Sequence, residues 1–97
     1  MELKVYSIRD QKGGIFNQPF FCRSHGEAER NFTTLINDPK SMICKFREDF
    51  DLYHIGEYDD QTGRLTSLDT PLHILKAVAA KSLSDDSLRS LNVSELT

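Results

Sequence analysis

The chain has 97 residues, of which 38% are hydrophobic, enough for one core and too few for two domains of ordinary size. The net charge of −3 excludes a surface that is basic throughout, and it is unevenly spread: residues 1–47 carry eight Lys/Arg against five Asp/Glu, residues 48–97 four against ten. With no leader pattern and no apolar run near the roughly 20 residues of a membrane span, the expected setting is a reduced, soluble, intracellular one without membrane contact.

Residues 2–9 alternate Leu3, Val5 and Ser7 with Lys4, Tyr6 and Ile8 and are predicted to form a strand. Asp10-Gln11-Lys12-Gly13-Gly14 ends it in a turn, after which residues 15–23 read as a second strand. Pro19 has no N–H to give to a ladder, so it implies an edge position or a bulge there. Ser24-His25-Gly26-Glu27 has the spacing of a capping box, in which the serine oxygen accepts an N–H of the first turn. A helix should follow, with Ala28, Phe32, Leu35 and Ile36 on one stripe and Asn37-Asp38-Pro39 as its stop. About three turns of isolated helix are unstable in water, so the stripe must be buried against the sheet.

Residues 41–46 form a short apolar connection, with a brief strand as one reading. Residues 49–63, DFDLYHIGEYDDQTG, then combine a β-rich run with a turn signal. Leu52, His54, Gly56 and Tyr58 share one parity and Tyr53, Ile55 and Glu57 the other, so both faces carry apolar or aromatic groups and the strand is predicted to be central or covered on both sides. Asp59-Asp60-Gln61-Thr62-Gly63 supplies turn formers and a glycine for positive φ, leading into residues 64–68 as the second arm of a hairpin. Thr70-Pro71 resembles a helix start, with Leu72, Leu75, Val78 and Ala79 as its stripe. From Lys81 the chain is rich in serine, leucine and acid, which predicts a frayed tail or one that folds on a partner.

The expected fold is therefore α+β: a small antiparallel sheet of about four strands in two hairpins, ββα-ββα in order, with one helix packed on the sheet and a second, C-terminal helix. Residues 1–80 form the single domain and 81–97 the tail.

Chemical motifs are few. His25, His54 and His73 are distant in sequence and read as a turn residue, a strand residue and a helix-surface residue; Cys22 and Cys44 lack ligand or redox spacing and read as small hydrophobes. Asp59 and Asp60 lie where a hairpin needs them, and Lys12-Gly13-Gly14 lacks the length and ending of a phosphate loop. No nucleophile motif is present, so no enzyme, metal or cofactor is expected. What remains is a mix of aromatic and basic residues in the first half. Aromatic faces stack unpaired bases and neighbouring cations neutralise the backbone, which suits single-stranded nucleic acid. The candidate contacts are Lys4, Tyr6, Arg9, Lys12, Phe20, Arg23, Lys45 and Arg47. The competing reading of Phe16, Phe20 and Phe21 is core, and a sheet with apolar groups on both faces also suits self-association, so a homodimer or higher homo-oligomer is expected.

Four separated blocks, MELKVYSIRD at the start, QPFF at 18–21, NDPKSMI at 37–43 and EDFDLYHIGEYDDQTG at 48–63, resemble the small nonstructural protein of gokushovirus-type Microviridae, single-stranded DNA phages. The resemblance covers roughly residues 1–75. It implies a protein of the infected bacterial cytoplasm, absent from the mature virion, that acts in genome replication as a DNA-binding or replication-switch factor. On this footing the expected function is non-enzymatic binding of single-stranded DNA. The alternative is an adaptor that engages the phage replication initiator, a host replication factor or the procapsid without touching DNA.

Overall fold

The alternation at the start of the chain becomes β1 (Glu2–Asp10), which lies at the middle of an antiparallel sheet. A computed structural model describes residues 1–80. After β1 come β2 (Ile15–Phe16), β3 (Phe20–Cys22), the helices α1 (His25–Ile36) and α2 (Met42–Lys45), and the long strands β4 (Phe50–Asp59) and β5 (Arg64–Lys76). The strand order is β2-β1-β4-β5, with β3 following β2 along the same edge of β1. β4 is central, as its two-faced composition predicts.

The two hairpins form as expected. In each, an aspartate opens the turn and a glycine closes it: Asp10 O accepts Gly14 N–H at 2.8 Å and Asp59 O accepts Gly63 N–H at 2.8 Å. Gly14 has φ +71° and Gly63 φ +76°, the left-handed region that disfavours a Cβ. The capping serine also acts as its spacing predicts, Ser24 Oγ accepting Glu27 N–H at 3.2 Å. Along α1, Ala28, Phe32 and Ile36 are fully buried, whereas Leu35, the other member of the expected stripe, is 38% exposed. They pack with Tyr6, Ile8, Cys22, Phe50 and Leu52 into a core on one face of the sheet. Both cysteines are free, Cys22 buried and Cys44 half-buried.

Three expected elements are corrected. The second strand is interrupted at residues 17–19, around Pro19, and survives as β2 and β3. Residues 41–46 hold the short helix α2, capped by Ser41 Oγ on Ile43 N–H at 3.1 Å, and no strand. No helix starts at Thr70-Pro71, so the order is not ββα-ββα. β5 continues through this dipeptide because Leu72 and Leu75 pair with His54 and Leu52 of the central strand. Ladder bonds to an already formed strand, with burial of Leu75 against the core, outweigh a local capping signal. Residues 68–71 stand opposite Ile55 alone, so Pro71 falls in a bulge where its missing N–H costs no ladder bond. Helical geometry is confined to a 3-10 turn at Ala77–Ala79, which buries Ala77. The expected tail at 81–97 lies outside the described residues.

A second irregularity matters more for the surface. The β1–β4 register pairs Val5 with Gly56 but Tyr6 with His54, leaving Ile55 as an extra residue on β4. Every β4 side chain beyond Ile55 therefore changes face. Tyr58 does not share the face of Leu52 and His54, as simple parity predicts, and joins that of Tyr53 instead.

Candidate nucleic-acid interface

Residues directly opposite one another in a ladder point to the same face. Leu3, Val5, Ser7 and Arg9 of β1 thus share a face with Phe16, Phe21, Asp51, Tyr53, Tyr58, His73 and Lys76 on the neighbouring strands. The core and α1 occupy the other face.

The rings on this helix-free face meet in two groups. Phe16 and Tyr53 pack edge to face at 5.4 Å between centroids, and Tyr53 and His73 do the same at 5.2 Å. The guanidinium of Arg9 lies 5.0 Å from the centroid of Phe16, a cation–π contact. His73 Nε2 is 2.8 Å from Asp51 Oδ2, which fixes the imidazole beside Tyr53. At the other end, Phe21 and Tyr58 are 5.3 Å apart. Phe16 is 39% exposed and Phe21 47%, high values for phenylalanines on a sheet.

Charge divides by face as well. Among residues in register, Glu2, Asp10, Glu57 and Asp59 align with Tyr6 and Ile8 on the helix side, together with Lys4 and Arg64. The helix-free face carries Arg9 and Lys76 on either side of Asp51, whose carboxylate is buried and paired with His73. The aromatic face thus takes Arg9 from the basic first half of the sequence and Lys76 from the second.

The eight residues expected to contact DNA do not come together. Of those the ladders place, Arg9 is on the aromatic face and Lys4, Tyr6 and Phe20 are on the other. Tyr6 is fully buried, its ring between Phe20 at 5.9 Å and His54 at 5.2 Å, so it cannot stack on a base. Its hydroxyl lies 2.5 Å from His25 Nδ1, and burial, aided by Cys22 and Glu57, pushes its pKa up to about 12. Phe20 is half-buried against this core. Lys4 is on the helix side with its Nζ 3.6 Å from Glu57 Oε1. Lys12 is exposed in the first hairpin turn, Arg23 just ahead of the α1 cap, and Lys45 on α2. Arg47 Nη2 donates to Ile36 O at 3.4 Å, a cation at the negative end of α1.

The helix-free face also carries Tyr53, Tyr58, His73 and Lys76, none of them among the expected contacts, and Phe16 and Phe21, for which core is the competing expectation. Tyr53 carried a signal in its parity, opposite to the buried Leu52 and His54. Tyr58 and His73 carried none, because the bulge at Ile55 and the extension of β5 place them. The histidines also partly converge: His25 and His54 are 5.1 Å apart, ring to ring, while His73 is a strand residue on the other face.

The family model described as Phage ORF5 protein matches residues 3–80. The chain belongs to this family. The match spans β1 to β5 and both helices, so the sheet with its two faces is the Phage ORF5 region of the chain. Membership makes this a phage protein. No curated protein and no solved structure matches the chain.

Proposed function

We propose that this Phage ORF5 family protein binds single-stranded DNA, without catalysis, on the sheet face that α1 leaves free. The observation that carries the reading is the clustering of Phe16, Tyr53 and His73 beside Arg9 on that face. Aromatic side chains offer π-faces to unpaired bases of any sequence, at about 1–3 kcal/mol per stacked base. Arg9 and Lys76 supply the charge that neutralises phosphate. A duplex keeps its bases stacked on one another, so such a surface favours a single strand. Membership of a phage family and the resemblance to gokushovirus nonstructural proteins support a role in genome replication, at the turn toward single-stranded genome synthesis and packaging, in the infected bacterial cytoplasm. The test is titration of the protein against labelled single-stranded and duplex oligonucleotides at low and moderate salt. Binding that prefers single strands and weakens steeply with salt is expected; equal affinity at both salts would overturn the reading.

A second reading, an adaptor without DNA contact, has its own support. A cleft of about 400 Å³ between the first hairpin turn and α2 is lined by Lys12, Met42, Phe46 and Phe50. Met42 is 58% and Phe46 45% exposed, enough to receive an apolar side chain of a protein such as the phage replication initiator. Loss of initiator capture by Met42→Lys and Phe46→Lys, with DNA affinity unchanged, is the outcome this reading requires.

A further inference from the structure

We infer that the helix-free face holds a single strand at two separate stacking stations, and that their spacing sets a minimum length of DNA; this rests on the single-strand reading above. The first station is Phe16, Tyr53 and His73 with Arg9, and the second is Phe21 with Tyr58. β1 measures the distance between them. Phe16 lies opposite Arg9 and Phe21 opposite Val5; Tyr53 lies opposite Ser7 and Tyr58 opposite Leu3. Both ring pairs are thus offset by four residues of one strand, about 13 Å at the usual rise.

The floor between them presents no ring. Val5 and Ser7 of β1 are buried there, and Ser7 Oγ already donates to Asn17 O at 2.7 Å. Neighbouring bases in a stacked strand are about 3.4 Å apart, so adjacent bases cannot reach both stations and about four stacked steps are needed to join them, fewer if the strand is stretched. The strand therefore runs along β1 and β4, with one base on each station and the nucleotides between them unstacked from protein.

The stations also differ in kind. Arg9 and Lys76 both stand at the first, while among the paired residues none beside Phe21 or Tyr58 is a cation, and the exposed Arg23 lies two residues beyond Phe21, outside the ladder. Most of the salt sensitivity belongs to the first station, and the second adds chiefly stacking.

The experiment measures affinity for oligothymidylates from dinucleotide to octanucleotide, at two salt concentrations, with the wild type, Tyr53→Ala, Phe21→Ala and Tyr58→Leu. The last keeps an apolar contact for Phe21 and removes the ring, and thermal melting checks that each variant is folded. In the wild type, affinity should rise by at least about five-fold as length passes about five nucleotides, the value of one stacked base. Phe21→Ala and Tyr58→Leu should abolish that rise and keep most of the wild-type salt slope, whereas Tyr53→Ala should weaken binding at every length. A smooth gain with length that Phe21→Ala and Tyr58→Leu leave untouched would overturn the two-station inference while preserving single-strand binding. Failure of every oligonucleotide to bind would overturn both.

Discussion

The hydroxyl of Tyr6 and Nδ1 of His25 are 2.5 Å apart, and this contact ties the central strand β1 to the first residue of α1 beneath the core. Tyr6 has no exposed surface, so its phenolate has no water to stabilise it, and burial pushes the pKa up to about 12. The unfolded chain ionises this group near 10. Between these values the folded state holds the extra proton, so stability is intact below about pH 10 and falls as pH rises toward 12, by about 1.4 kcal/mol per pH unit from this group. Denaturant unfolding across that window should show the fall. Tyr6→Phe should remove its share of the slope and cost about 1 kcal/mol at neutral pH for the lost hydrogen bond.

Arg9 and Lys4 are both strand cations of β1, five residues apart and on opposite faces. Arg9→Ala should weaken single-strand binding and reduce the slope of log affinity against log salt by about 1, the signature of one lost phosphate contact. Lys4→Ala should leave that slope unchanged, because Lys4 is engaged with Glu57 on the helix side. A salt series on the two variants decides it, and a larger effect from Lys4 would place DNA on the wrong face.

Gly56 is required by the approach of β5. A Cβ there would lie 2.6 Å from Thr66 O, a backbone atom that cannot yield without shifting the ladder. Gly56→Ala should lower stability by about 1–3 kcal/mol, measured as a drop in Tm. Because Gly56 follows the bulge that orients Tyr58, the variant should also lose the gain in affinity for longer oligonucleotides.

Ser24→Ala removes the oxygen that accepts Glu27 N–H at the start of α1. The expected cost is about 1 kcal/mol, seen as a lower denaturant midpoint with an unchanged m-value. DNA affinity should not move, since α1 is on the far side of the sheet.

Much of the fold is written in short-range chemistry. α1 with its serine cap and the Asp59–Gly63 turn each depend on side chains that act on backbone a few residues away, so spacing is enough to place them, and the alternation of β1 marks it as a strand. Thr70-Pro71 shows where such signals lose. The same kind of local cue pointed to a helix, but β4 offered Leu72 and Leu75 a ladder, and a bulge absorbed the proline.

The candidate site was far less legible, for a geometric reason. Composition pointed to aromatic and basic residues in the first half of an acidic chain, and a resemblance supplied the phage setting; neither could say which rings face outward. Tyr6, an expected contact, is buried against α1, while Tyr53 and Tyr58, an odd number of residues apart, belong to opposite faces of any regular strand. One extra residue at Ile55 puts both on the helix-free face. That bulge exists only through the register β4 adopts against β1 and β5, so the assembled sheet, and no local segment of the chain, decides which aromatic residues a strand of DNA would meet.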